Sequence, residues 1–347
     1  MATRGSSYDP QRDPLDLPVQ VLDLRCTALR ALHLPPREGT MPDTTLGKAF
    51  DEALRDVACA QFHSGGDPCG VDESGSSRCH SPMTCIQPWL YKPRSAVLGR
   101  DFTRPIMLRA AILDACLPVT EFGIRLTLWG RHAVAARSLV EEAVVEMGLR
   151  GLRTPTGNVP FVVTTRSAAS CATLAERAEE LRRSAPQHLL LEFETPFMHI
   201  EKDEQRRRKL LAGGWLPLDR ILGNTAMDLV AWDMEERDLD PAMDRLARDA
   251  LMQRAKEFAK TAAATVEISR CRLTPAPVGM RLSKSNEGTF FLGGFIGTVD
   301  LTGDLIAALP WLVALSLGGS GQKRSFGFGA VGMWLPSTNN HSAVELS

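Results

Sequence analysis

Arg281-Leu282-Ser283-Lys284, Leu292-Gly293-Gly294-Phe295-Ile296-Gly297, Gly303-Asp304-Leu305 and Gly318-Gly319-Ser320-Gly321-Gln322-Lys323-Arg324-Ser325-Phe326-Gly327-Phe328-Gly329 follow one another near the C-terminus of the 347-residue chain. The last of these stretches lies between an apolar helix-forming run and a strand-forming run. Its glycines leave backbone N–H groups uncovered, so a polyanion can approach them. Lys323 and Arg324 bring positive charge to the same place. Phe326 and Phe328 alternate with glycine, a spacing that serves either base stacking or burial in a core. The plainer reading is a glycine-rich turn entering an edge strand, and the stretch alone leaves both open.

Working outward, Leu189 to Thr195 reads as a strand, and most of the segment from Asp203 to Thr265 reads as helical. Thr265 to Leu273 and Phe290 to Leu301 read as strands. Leu305 to Leu317 is a helix that Pro310 either kinks or starts, and Gly329 to Trp334 is a closing strand. The first half repeats this order. Val19 to Cys26 alternates with period two, Leu46 to Cys59 is a helix, Pro105 to Leu113 and Phe122 to Trp129 are strands, Ala133 to Met147 is a helix and Phe161 to Thr165 a strand. Strand, helix, strand, strand, helix, strand is the ferredoxin-like order. The fold class expected is therefore α+β, two tandem ferredoxin-like (RRM-like) domains with antiparallel sheets. The boundaries read as a flexible arm at 1–17, an N-terminal domain at 18–186 with a Cys-rich insertion at 59–92, a C-terminal domain at 187–336 and a disordered tail at 337–347.

Composition narrows the partners. The formal net charge is -1, so no global basic field advertises nucleic acid. Among 40 basic residues, however, only 8 are lysine, which leaves 32 arginines with planar forks suited to phosphate. A GC-rich genome would give the same bias. No apolar run approaches a membrane span and the N-terminus has no signal-like core, so the chain reads as soluble and cytoplasmic, with no membrane partner. Eight cysteines without a secretion signal argue against a disulfide framework.

The four segments quoted above, in their order and spacing, resemble the C-terminal domain of the CRISPR-associated endoribonucleases that process precursor CRISPR RNA, members of the repeat-associated mystery protein (RAMP) superfamily. That family is similar in its R-x-S strand, G-G-F-x-G strand, G-D-L helix start and terminal G-F-G loop. The resemblance covers about residues 189 to 335, and the N-terminal half matches in layout. It implies metal-independent cleavage of CRISPR repeat RNA, with no cofactor required. The ribose 2′-OH attacks the phosphate, giving mature crRNA with a 2′,3′-cyclic phosphate and a 5′-OH. The product can stay bound, making the protein a subunit of a larger CRISPR effector complex. The alternative is a non-catalytic RNA-binding subunit of such a complex. A ferredoxin-like metabolic enzyme fits poorly, because the sequence has neither a phosphate-binding G-x-x-x-x-G-K-[ST] motif nor an H-x-x-x-H pair.

That chemistry needs a base, an acid and cations around the phosphorane. His33 lies where the family often places its catalytic histidine, between the first strand and first helix, and Arg37 and Lys48 flank it as phosphate stabilisers. Loop packing and surface charge are their plainer readings. Some family members use arginine instead, which keeps Arg30, Arg37 and Arg324 as candidates. Two positions depart from the family's pattern. Leu282 stands where an aromatic is common, and Gly318-Gly319-Ser320 replaces a histidine that often enters the loop. For RNA binding the candidates are Arg281, Lys284, Gly319, Gly321, Lys323, Arg324 and Phe326, together with the basic run Arg206, Arg207, Arg208 and Lys209. Arg245, Arg248, Arg254 and Lys256 form a further basic face, but Asp249 and Glu257 interleave with it, so a solvated, salt-bridged helix is the expectation there. Finally, Cys59, Cys69, Cys79 and Cys85 cluster around His63 and His80 and could hold a structural zinc, although they lack a C-x-x-C knuckle; reduced thiols in a variable loop compete with that reading.

Overall fold

A computed structural model describes residues 14–32, 42–58, 90, 94–95, 100–101, 104–110, 118–154, 156–197, 200–202, 208–210, 216–236, 245–281, 289–320, 329–335 and 344–345. In the N-terminal half, β1 (Pro18–Leu32) is followed by α1 (Pro42–Ala58), β2 (Ile106–Ala110), β3 (Val119–Trp129), α2 (Gly130–Ala135), α3 (Arg137–Arg150) and β4 (Phe161–Ala168). The sheet order is β2-β3-β1-β4 with every pairing antiparallel, which is the ferredoxin-like arrangement. Period-two alternation decides the faces. Leu22, Leu24, Cys26 and Ala28 of β1 point to one side and join Leu46, Phe50 and Leu54 of α1 and Val140, Val144 and Met147 of α3 in one buried cluster. Asp56 of α1 pairs with Arg150 of α3 beside this core. Pairing with β3 and β4 carries β1 well past Cys26, where the alternation in sequence fades, and across a register shift in each pairing.

Helix α4 (Leu174–Arg183) joins the halves, started by a capping box in which Thr173 and Glu176 satisfy each other's backbone amides. The second unit then runs β5 (Leu189–Phe197), α5 (Leu218–Glu236), α6 (Arg245–Ala263), β6 (Val266–Arg281), β7 (Thr289–Gly303), α7 (Leu309–Gly318) and β8 (Val331–Leu335). Its sheet order, β6-β7-β5-β8, repeats the first. All ten residues of α7 are buried, and Pro310 sits in its first turn, so the proline marks the helix start and makes no kink. The β6–β7 hairpin is far longer than the sequence suggests. Pairing continues from Phe295, the last β7 residue opposite β5, out to Arg281 opposite Thr289. These six further pairs extend the hairpin by about 20 Å beyond the body of the sheet.

The two sheets share apolar packing. Val19 and Val21 of β1 and Trp129 of β3 are buried in one cluster with Leu191, Phe193, Leu222, Trp232, Leu312 and Leu315 of the second unit. Residues on the other face of β1 therefore split. Val19 and Val21 are covered by the C-terminal half, whereas Arg25 and Leu29 remain exposed.

Two boundary expectations are corrected. Residues 14–17 are not a loose arm: Pro14–Asp16 is a 3₁₀ turn, Leu17 is buried and Leu15 packs on the shared core. The tail is not wholly disordered either, because Val344–Glu345 pairs with Trp334–Leu335 and adds a short strand at the β8 edge. The Cys-rich insertion lies mostly outside the described residues.

Candidate nucleic-acid interface

The glycine-rich stretch leaves α7 and returns into β8, and its two ends are tied together. Ser320 N–H donates to the Gly329 carbonyl at 2.9 Å, and Gly329 N–H donates to the Pro196 carbonyl at 3.1 Å. Ala330 N–H donates to the Thr195 hydroxyl at 2.8 Å. Gly329 has φ +72°, and a Cβ there would run into the Ser320 carbonyl oxygen, so only glycine closes this junction. Gly319 corrects a sequence expectation. Its amide donates to the Leu315 carbonyl at 2.8 Å and the residue is buried, so it is a helix cap and not an uncovered RNA contact. Gly321, Lys323, Arg324 and Phe326 lie outside the described residues.

Neighbouring glycines in the sequence pattern also do structural work. Gly297 has φ +128°, and a Cβ there would strike the Arg272 carbonyl across the hairpin. Gly303-Asp304-Leu305 forms a turn in which Asp304 N–H donates to the Thr265 carbonyl at 3.1 Å and the Asp304 carboxylate accepts from Ile306 N–H at 3.1 Å. Arg281 sits at the distal end of the long hairpin, and Lys284 lies outside the described residues.

Strand β2 of the first unit lies directly against the loop base. A Cβ on Gly319 would sit 2.7 Å from the Met107 Cε. One residue pair along, Arg109 Nη2 donates to the Ser316 carbonyl at 2.5 Å and the Val331 carbonyl at 3.0 Å, while Nη1 lies 3.9 Å from the Glu194 carboxylate. No sequence signal marked this residue.

Elsewhere, Arg208 and Lys209 fall on a short strand, Arg208–Leu210, paired with Ile200–Lys202, while Arg206 and Arg207 lie outside the described residues. On α6 the aliphatic stems of Lys256 and Lys260 cover Gly223 of α5, and Lys260 pairs with Glu257 at 3.3 Å. That helix is packed and salt-bridged. Lys48 is exposed on α1, and Arg30 donates to the Asn158 carbonyl at 2.9 Å. His33, Arg37, Cys59, Cys69, Cys79 and Cys85 lie outside the described residues, and the described ones contain no group of three or more metal-ligating side chains.

Residues 191–331, from the middle of β5 to the first residue of β8, match the family of the CRISPR-associated endoribonuclease Cas6. This segment is the Cas6-like part of the chain. The segment contains the long hairpin, the turn at Gly303 and the tied glycine-rich loop, so the motif order and the family agree. Structural similarity extends past this segment over most of the chain. A Cas6 product complex aligns over 91% of this chain and 98% of its own, with 16% identity and a TM-score of 0.50. Thermus thermophilus Cas6 aligns over 91% of this chain and 98% of its own at 14% identity and TM-score 0.43. A Cas6-related protein from Pyrococcus furiosus aligns over 92% of this chain and 100% of its own at 11% identity and TM-score 0.45. The first of these supports the tandem ferredoxin-like fold. No curated protein sequence matches the chain.

The N-terminal sheet presents an exposed strip. Arg25 lies opposite Gly123 and Thr165, Thr27 lies opposite Val162, and Leu29 and Val162 are 68% and 46% exposed. In sequence, β1 runs through this strip toward His33. Among the described residues, no helix is long and apolar enough to cross a membrane.

Proposed function

We propose that this chain binds CRISPR repeat RNA and cuts it without a metal ion, then retains the product as part of an effector complex. The match of residues 191–331 to an endoribonuclease family carries this reading. In the reaction, a base removes the proton of the ribose 2′-OH and the oxygen attacks the adjacent phosphorus. The P–O5′ bond breaks, and an acid protonates the leaving 5′-oxygen. His33 is the proposed acid–base group, since imidazole changes protonation state near neutral pH. Arg37 and Lys48 are the proposed partners of the charged phosphorane, and Lys323 and Arg324 of the RNA backbone. A zinc on Cys59, Cys69, Cys79 and Cys85 would staple a loop and take no part in cleavage.

The test is incubation of purified protein with its repeat RNA and a scrambled RNA in excess EDTA, followed by native and denaturing gels. Cleavage of the repeat alone, with the product co-migrating with protein, is expected. Binding without cleavage would make the chain an RNA-binding subunit, and no preference for the repeat would remove the reading altogether.

A further inference from the structure

Arg109 has an unusual position. It lies on β2 directly opposite Arg125 of β3, and like charges facing each other across strands are unfavourable. Each guanidinium is offset by anions or dipoles on its outer side. Arg125 Nε donates to the Asp23 carboxylate at 2.7 Å. Arg109 turns the other way, out of its own domain, to two backbone carbonyls and Glu194 of the C-terminal unit. Its side chain is 12% exposed, so these are partly desolvated, charge-assisted bonds.

The two carbonyls are not arbitrary. Ser316 is in the last turn of α7, where carbonyls have no helical partner and a cation is favoured. Val331 is the first residue of β8. One guanidinium nitrogen, Nη2, therefore bridges the residues just before and just after the glycine-rich loop. Met107, two residues earlier on the same strand face, packs on Gly319. Nη2 serves both carbonyls and Nη1 faces Glu194, whereas a lysine would bring one nitrogen, on a shorter side chain, to all three acceptors.

We propose that Arg109 is a positioning residue for repeat-RNA binding: from the N-terminal domain it fixes the spacing of the two ends of the glycine-rich loop of the C-terminal unit. The RNA half of this proposal rests on the function proposed above, whereas the clamp itself does not. Through β2, β3 and β1 the same residue links the loop to the strand that leads to His33.

Two measurements test it on Arg109→Ala and Arg109→Lys. In RNA-free protein, hydrogen exchange at the Ser320 and Gly329 amides should speed up by about tenfold in both variants, while amides of the β1–β3 ladder keep their rates. With repeat RNA carrying a 2′-deoxy nucleotide at the cut site, Kd should rise by about tenfold for Arg109→Ala, and Arg109→Lys should recover only part of that loss. Single-turnover cleavage of normal repeat at saturating protein should stay within about threefold of the parent. Unchanged exchange at Ser320 and Gly329 would overturn the clamp. Faster exchange with an unchanged Kd, or full recovery of Kd by lysine, would overturn the positioning role. If Arg109→Ala accelerates exchange throughout the protein, Arg109→Lys decides. Failure of the parent protein to bind repeat RNA would strike the proposed function and leave the exchange result to judge the clamp.

Discussion

Trp129 stacks on Trp232, with ring centroids 5.0 Å apart and planes inclined by 29°. The first residue ends β3 of the N-terminal sheet and the second lies on α5 of the C-terminal unit, so the contact crosses the boundary between the units. Gly318 packs on the same indole, where a Cβ would lie 3.3 Å from its Cζ2. The end of α7, and with it the start of the glycine-rich loop, thus rests on a side chain of the other domain.

Trp129→Ala should cost about 3–5 kcal/mol, the usual range for removing a buried aromatic. Because the apolar cluster is shared, the parent protein should unfold in a single denaturant transition observed by both fluorescence and circular dichroism. In the variant, the transition should fall to lower denaturant and split in two. A variant with an unshifted single transition would show that the domains are stabilised separately.

Gly329→Ala places a Cβ against the Ser320 carbonyl at a backbone angle that L-residues rarely adopt. We expect a loss of about 1–3 kcal/mol in thermal unfolding and weaker binding of repeat RNA, read by filter binding. Unaltered stability would mean that the loop base can open without cost.

The fold was largely legible in the sequence because its signals are local: period-two runs, helical faces and the proline that starts α7. Strand ends were not. Thr27 to Leu32 and Thr274 to Arg281 extend as strands because a partner strand supplies hydrogen bonds, and a single segment carries no record of its partner. Leu15 and Leu17 looked like part of a polar arm because their packing surface comes from distant helices. The motif glycines located the loop, yet Gly319 and Gly329 are committed to protein contacts, so their abundance signalled tight closure at the loop base as much as an anion cradle. Arg109 was invisible for a similar reason. Its acceptors lie 207 and 222 residues away, and in sequence it is one of many arginines on a strand.

His33→Ala should slow single-turnover cleavage of repeat RNA by roughly tenfold or more, as expected for loss of a general acid or base, while Kd for the 2′-deoxy repeat is preserved. An unaltered rate would move the acid–base role to an arginine or to another histidine.

Cys26 is buried at the centre of the N-terminal sheet, and burial pushes its thiol up from 9.0 to about 12. The unfolded chain loses this proton first as pH rises, so this residue's contribution to stability is intact below about 9 and declines between there and about 12. Alkylation with peptide mapping at pH 8 should label exposed Cys171 within minutes and Cys26 only after denaturation. Equal labelling of both would mean that the sheet opens readily.

The most direct test of the account is the chemistry of the cut ends. Repeat RNA incubated with the protein in EDTA should yield an upstream fragment with the mass of a 2′,3′-cyclic phosphate and a downstream fragment with a free 5′-OH. A 2′-deoxy nucleotide just upstream of the break should abolish both products. Fragments bearing a 5′-phosphate, or cleavage that survives the 2′-deoxy substitution, would contradict attack by the ribose hydroxyl.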